Sequence, residues 1–144
     1  MKNKGFTLIE LLAVIIVLAV LALISTPIVS SLIVTSQKGT YAKSIEGLVD
    51  AVKLDLGNNN FIKNREYLLD DDDNNLYLII ANGEVLEKRE KIRVKGLVTG
   101  FARIKVDEDG DILVAAHKDK WCIKNSKSSS RLILSDYTGY CDLD

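Results

Sequence analysis

Apolar residues divide the chain into one long apolar stretch and a mixed remainder. From Phe6 to Val34 the stretch is interrupted only by Thr7, Glu10 and hydroxyl-bearing residues near Pro27, and the next charge after Glu10 is Lys38. About 20 predominantly apolar residues suffice for a helix to cross a bilayer. The pattern therefore predicts a membrane-spanning helix near the N-terminus.

Helical periodicity continues beyond the apolar stretch. Apolar residues recur at helical spacing at Tyr41, Ile45, Leu48, Val49, Val52 and Leu56. One helix is therefore expected from Phe6 to about Leu56, ended by Gly57 and the following asparagines as a left-handed cap. Pro27 lacks a backbone N–H and Gly39 is a weak helix former, so we expect a bend at each.

The rest of the chain has the pattern of a sheet. Asn82-Gly83 is a strong hairpin signal, and it follows an apolar run. Strands are predicted at 76–81, 102–106, 112–116, 121–123 and 131–134. The predicted fold class is α+β, in which the outer half of a long membrane-spanning helix packs on a small antiparallel sheet.

Glu10 is the unusual residue of the apolar stretch. A carboxylate at mid-bilayer costs roughly 2.5–3.5 kcal/mol on insertion scales, and such residues are functional candidates by default. A protease that cuts after Gly5 would expose a cationic α-amino group on Phe6, one helical turn from Glu10. Glu10 can then pair with the amine of its own chain or of a neighbour.

At these residues the chain resembles a known family. This segment is similar to the class III signal of type IV pilins and pseudopilins, because Gly5 is followed by Phe6-Thr7-Leu8-Ile9-Glu10 and then by an apolar helix. The resemblance implies cleavage between Gly5 and Phe6 by a membrane-embedded prepilin peptidase, which also N-methylates Phe6. It implies that Glu10 neutralises the Phe6 amine of the adjoining subunit during assembly. Pro27 matches the family's helix proline and its bend, whereas Ala19 lies where the family often has glycine.

The resemblance implies a structural role. The expected function is that of a type IV pilus subunit, which self-associates into a helical filament after cleavage. Its partners would be the prepilin peptidase and methyltransferase, the pilus assembly machinery and, before assembly, membrane lipid. The alternative within the superfamily is a pseudopilin of a type II secretion or DNA-uptake machine.

Three other interpretations remain from the residues alone. A secretory signal peptide would need a cleavage site made of small residues. The only acceptable site is Val29-Ser30-Ser31, because a cut after Thr26 would place Pro27 directly after the cleaved bond. An ordinary single-span anchor would merely tolerate the acid at Glu10. A single-span membrane binding module would keep Lys2 and Lys4.

Charge predicts the orientation and the domains. Lys2 and Lys4 precede the span without a neighbouring acid, so the N-terminus is expected in the cytoplasm. We expect a leader peptide at 1–5, a transmembrane and filament-core helix at 6–35, and an extracellular pilin-like domain at 36–144. The precursor would be a single-pass membrane protein, and the mature form would lie outside the cell in a pilus or pseudopilus.

Cys122 and Cys141 are the only cysteines. An exported domain meets an oxidising compartment, which favours a disulfide between them, with reduced thiols as the alternative. A C-terminal disulfide-bounded loop is also what the pilin family shows.

Catalytic chemistry is not indicated. His117 is the only histidine, and no nucleophile lies at a spacing that would pair with it, so we expect a surface residue on a sheet and no enzyme. The basic residues are interleaved with acids, as in Leu86–Lys91, and the net charge is −1, so no clear nucleic-acid signature is present.

No cofactor or metal is expected either. The acidic runs at 70–73 and 107–111 can attract Ca²⁺. Solvated turns are the preferred interpretation, because Asn75 and Ala81 replace the glycine and glutamate of an EF-hand loop.

Overall fold

A single long helix begins the described chain. The computed structural model describes residues 5–58, 64–70, 72–96, 98–127 and 129–143. Helix α1 (Leu8–Asn58) has 51 residues. The internal contacts define two compact units, one up to Gln37 and one from Lys38 onward.

The end of α1 differs from the prediction. Gly57 lies inside the helix and does not have a positive φ, so the left-handed cap predicted there is wrong. The last turn stays helical because it is held on the sheet, where Leu56 is buried and Asp55 contacts Arg65. Asn59 and Asn60 were predicted to belong to the cap and loop that end the helix, and they lie outside the described residues.

Seven antiparallel strands form one sheet in the second unit. They are β1 (Arg65–Leu69), β2 (Leu76–Ala81), β3 (Glu84–Ile92), β4 (Phe101–Val106), β5 (Ile112–Lys118), β6 (Trp121–Ser126) and β7 (Ser129–Asp136). Their order across the sheet is β3-β2-β1-β4-β5-β6-β7, so β3 and β7 are the edges. The α+β prediction is confirmed.

The core of the second unit lies between α1 and one face of this sheet. Residues at helical spacing on α1 are buried, among them Tyr41, Ile45, Leu48 and Val52. Alternate strand residues are buried as well, and they include Tyr67, Ile104, Val114 and Ile123. The outer half of the helix thus packs on the sheet, as its apolar periodicity predicts.

Five predicted strands are present, each within a few residues of its expected bounds. The hairpin at Asn82-Gly83 is also confirmed, with φ of 54° and 80° at its two residues. Strands β1 and β3 were not predicted. β3 is almost entirely exposed and highly charged, so it lacks the alternating pattern that marks a strand with one buried face.

Candidate functional site at the start of the apolar helix

The bond between Gly5 and Phe6 lies in open chain just before α1. Residues 5–7 have no regular secondary structure and are exposed, and Phe6 is 83% exposed. Apart from the two chain neighbours of Gly5, no heavy atom of the described residues lies within 4 Å of the position that a Cβ on Gly5 would take. Open, exposed backbone is what a protease requires. The predicted processing site is therefore sterically accessible.

The first turn of α1 is closed by Thr7 and Glu10. The backbone N–H and the hydroxyl of Thr7 both donate to Oε2 of Glu10, each at 2.8 Å. In return the Thr7 hydroxyl oxygen accepts from the Glu10 N–H at 3.4 Å. This reciprocal arrangement is a capping box, which satisfies backbone donors that the helix itself leaves open.

Glu10 therefore has a partner within its own chain. The apolar pattern does not indicate Thr7 as that partner, although the Thr-x-x-Glu spacing does. Within the described residues Oε1 of Glu10 accepts no hydrogen bond, since both Thr7 donors bind Oε2. The carboxylate can cap the helix through one oxygen and accept a further donor through the other.

The helix that follows exposes its apolar side chains on all sides. Leu8–Ser25 is long and apolar enough to cross a membrane, and none of this segment is buried within the chain. Exposed apolar surface of this extent marks a site that contacts lipid or protein. Glu10 is the only charged residue on it.

Several hydroxyl groups of α1 donate to carbonyl groups of the helix itself. Ser25 donates to the Leu21 carbonyl at 2.7 Å, and Thr35 donates to the Ser31 carbonyl at 3.0 Å. Such bonds allow Ser and Thr to lie in an apolar environment without an unpaired donor. Pro27 itself lies inside α1, as does Gly39.

In the second unit, a buried ion pair fixes the end of α1 to β1. The Arg65 guanidinium donates to the Asp55 carboxylate, and the Tyr67 hydroxyl donates to the same carboxylate at 2.8 Å. Arg65 is only 4% exposed. Burial raises the pKa of the Tyr67 phenol, which stays a neutral donor.

The predicted disulfide between Cys122 and Cys141 is present, with 5.8 Å between the Cα atoms. It ties the C-terminal segment to β6. Next to it, the Trp121 ring lies 6.3 Å from the Tyr41 ring of α1. The disulfide therefore borders the contact between helix and sheet.

His117 takes part in a stack of rings. Its imidazole lies 5.2 Å from the Phe101 ring and 4.7 Å from the Tyr137 ring, measured between centroids. His117 lies on strand β5, as the prediction of a surface residue on a sheet requires, but it is half-buried and not fully exposed. Two stacked aromatic neighbours indicate a packing role for this imidazole.

The first acidic run forms a turn with internal hydrogen bonds. Asp70 accepts a hydrogen bond from the Asp72 N–H and forms an ion pair with Arg89. Asp73 accepts a hydrogen bond from the Tyr77 hydroxyl at 2.6 Å.

Across the described part of the chain, no three His, Cys, Asp or Glu side chains are placed to hold a metal ion. Asp71 of this run, and Lys2 and Lys4 of the predicted leader, lie outside the described residues.

Comparison with known proteins identifies the N-terminal segment. Residues 1–26 match the family described as the prokaryotic N-terminal methylation motif. The match covers Gly5, Phe6 and Glu10, together with the first part of the apolar helix. No curated protein and no solved structure gives a significant match to the chain.

Proposed function

We propose that this chain, which carries the class III signal of type IV pilins and pseudopilins in residues 1–26, is a structural subunit of a type IV pilus. The observation that carries the proposal is the single carboxylate, Glu10, at the start of an exposed apolar helix and five residues after Gly5. The family that shares this signal is structural rather than enzymatic. Cleavage between Gly5 and Phe6 would release the subunit for polymerisation through its apolar helix.

Glu10 is the assembly residue in this proposal. After cleavage and N-methylation the Phe6 amine remains cationic. Thr7 occupies Oε2 of Glu10, so the amine of a neighbouring subunit can donate to Oε1. Pairing the two charges removes the penalty that each would carry alone in a dry helical core. The contact would set the axial register of the subunits.

Before assembly the protein would be a single-pass membrane precursor. Its lysine-containing N-terminus would stay in the cytoplasm, where the prepilin peptidase and methyltransferase act on it. The second unit would lie outside, where the disulfide between Cys122 and Cys141 is stable. Extraction from lipid is tolerable because packing between helices replaces lipid contacts on the exposed apolar surface.

A pseudopilin of a secretion or DNA-uptake machine would carry the same signal. Surface filaments distinguish the two functions. A pilus subunit forms long filaments outside the cell, which disappear when its gene is deleted, whereas a pseudopilin forms a short periplasmic or envelope-bound assembly.

The test of this function is Gly5→Leu. We expect this variant to remain a full-length membrane precursor that retains Lys2 and Lys4 and forms no filaments. Mass spectrometry of wild-type filaments should find an N-terminal Phe6 with one added methyl group. The matched control is Gly39→Leu, since Gly39 also has open space around it, and its processing should be normal. Wild-type filaments that begin at any other residue would contradict the proposal.

A further inference from the structure

A row of aromatic side chains crosses one end of the sheet. Phe101 begins β4, His117 lies near the end of β5, and Tyr137 directly follows β7. Their rings are stacked, with the imidazole of His117 between the other two. Each of the three residues is half-buried, so part of the row faces away from the protein.

Tyr140 adds a fourth aromatic ring at the same end of the sheet. It directly precedes Cys141, whose sulfur is bonded to Cys122 and lies 3.2 Å from the Ala116 carbonyl oxygen. Tyr140 therefore lies beside the end of β5 and the start of β6. It is 70% exposed, more than any other aromatic residue described from Lys38 onward. We call the row and Tyr140 together the aromatic end.

Helix α1 enters the second unit at the aromatic end. The ring of Tyr41, early in this part of the helix, lies 6.3 Å from the ring of Trp121, the first residue of β6. Asp55, near the end of the helix, pairs with Arg65 at the start of β1. Arg65 lies opposite Val106, the last residue of β4. The start of β4, which belongs to the aromatic end, is therefore on the side of Tyr41.

The connection between the apolar stretch and the second unit is short. The apolar stretch ends at Val34, and the second unit begins at Lys38. These four residue steps span at most about 14 Å, even in a fully extended chain. The headgroup layer of a bilayer extends roughly 5–8 Å beyond the hydrocarbon on each side. When the apolar stretch spans a bilayer, the end at which α1 enters the second unit is therefore held close to the headgroups.

The residue types of the aromatic end suit a headgroup layer. Tyrosine is enriched there, because its ring is apolar and its hydroxyl remains hydrated. Lysine can lay its aliphatic stem along apolar surface and keep its ammonium group in water, and Lys118 and Lys120 lie in the adjoining turn region. Asp119 and Asp136 are exposed nearby, so acids and bases are balanced. A contact with lipid would therefore depend on the rings and not on anionic lipid.

The other half of this end of the sheet is acidic. Asp70 follows β1, whose last residue, Leu69, lies opposite Ala102 near the start of β4. The turn that begins there also carries the exposed Asp72. By the strand order, β2 is three strand spacings from β5, or about 14 Å. Carboxylates are costly to remove from water, so this half is expected to stay hydrated while the aromatic half contacts lipid.

Continuity with the apolar helix identifies what covers the aromatic end. We propose, on the basis of the membrane precursor described under the proposed function, that the aromatic end docks into the phospholipid headgroup layer beside its own helix before assembly. Tyr140 and the outer side of the stacked row contact the headgroups. The contact holds the second unit in one orientation on the membrane, and extraction of the subunit for assembly has to break it.

Trp121 provides the measurement, because it is the only tryptophan of the chain and lies at this end of the sheet. The full-length precursor is reconstituted into phosphatidylcholine vesicles that contain a lipid with a nitroxide either on the headgroup or near the end of the acyl chain. We expect the headgroup nitroxide to quench the fluorescence of Trp121 more strongly. This quenching should persist without anionic lipid and at high salt, since the charges of the aromatic end are balanced.

A pair of matched variants separates docking from mere closeness to the membrane. Tyr140→Asp with Lys120→Asp should lose most of the headgroup quenching, because two carboxylates would have to leave water. The control is Val85→Asp with Lys105→Asp, which makes the same change in net charge at exposed residues of the opposite end of the sheet. This control should be quenched as the wild type is. An intact disulfide verifies that each variant is folded.

Three results would overturn the docking. They are equal quenching by the two nitroxide positions, unchanged quenching in Tyr140→Asp with Lys120→Asp, and cross-links between copies at position 140 in dilute vesicles, which would assign the aromatic end to a second copy. A precursor that does not insert into vesicles would instead contradict the membrane-spanning helix of the proposed function. The two failures are therefore distinguishable.

Discussion

At the scale of single residues, Glu10 combines two roles that can be separated. Its carboxylate caps α1 through Thr7, and it supplies the only charge on the apolar segment. A cap needs only a hydrogen-bond acceptor, whereas pairing with an amine requires the negative charge. Glutamine serves as well as glutamate in a capping box.

Glu10→Gln therefore removes the charge and keeps the cap. We expect this variant to insert, to be processed and to fold, yet to enter filaments poorly, because an unpaired buried charge can cost about 3–5 kcal/mol. Thr7→Val is the matched control, since it removes both hydrogen bonds of the Thr7 hydroxyl, leaves the backbone N–H bond to Glu10 and keeps the charge. It should assemble better than Glu10→Gln. Filament yield, measured by shearing and immunoblot, checks both variants, and a normal yield from Glu10→Gln would remove the charge-register mechanism.

At the scale of elements, the turn between β4 and β5 depends on one buried carboxylate. Asp107 is 7% exposed and accepts from two backbone N–H groups of its own turn. The ammonium group of Lys127 is the main cause that lowers the pKa of Asp107, and the two backbone hydrogen bonds act in the same direction. The ionised form is therefore the one that stabilises the folded turn.

Asp107→Asn should show this dependence on pH. The amide keeps an acceptor for the turn and loses the ion pair, so at pH 7 the variant should be less stable by about 1 kcal/mol. Because the folded pKa is below the unfolded value of 3.8, the advantage of the wild type is complete above that value. It should disappear as the pH falls through the lower folded pKa. Urea unfolding at pH 7 and pH 2.5 measures it, and an equal difference at both would contradict the assignment.

At the scale of the whole molecule, the covalent link between Cys122 and Cys141 holds the C-terminal segment to the sheet across 19 positions of sequence. Both cysteines are buried, close to the contact of Trp121 with Tyr41. Closing a loop of this length restricts the unfolded chain more than the folded one. The disulfide should therefore stabilise the folded second unit.

Cys141→Ser should lower the free energy of unfolding by about 2–5 kcal/mol. Reduction of the wild type should lower it similarly, whereas a reductant should not affect the variant. Non-reducing peptide mapping should recover one linked pair of peptides from native protein. Free thiols that are alkylated without reductant would show that the disulfide is absent in the exported protein.

Much of the molecule was predictable from local pattern. The apolar segment, the packed face of α1 and five strands follow from hydrophobic periodicity, and the hairpin follows from Asn82-Gly83. The end of α1 was mispredicted, because Gly57 favours a stop locally while buried contacts of Leu56 keep the turn helical. Strand β3 was missed, because an edge strand is held by backbone pairing with β2 and needs no buried side chains of its own.

The sequence by itself determined the apolar helix, the exposed Gly5–Phe6 bond and the position of Glu10, because these depend on residues that are neighbours along the chain. Tertiary structure decided which charges are neutralised. Pairing of Asp55 with Arg65 depends on how α1 packs on β1, and pairing of Arg103 with Glu66 depends on β4 lying next to β1 in the sheet. In the sequence these charges are merely interleaved. Only the fold brings the Asp55 carboxylate to the Arg65 guanidinium and the Tyr67 hydroxyl.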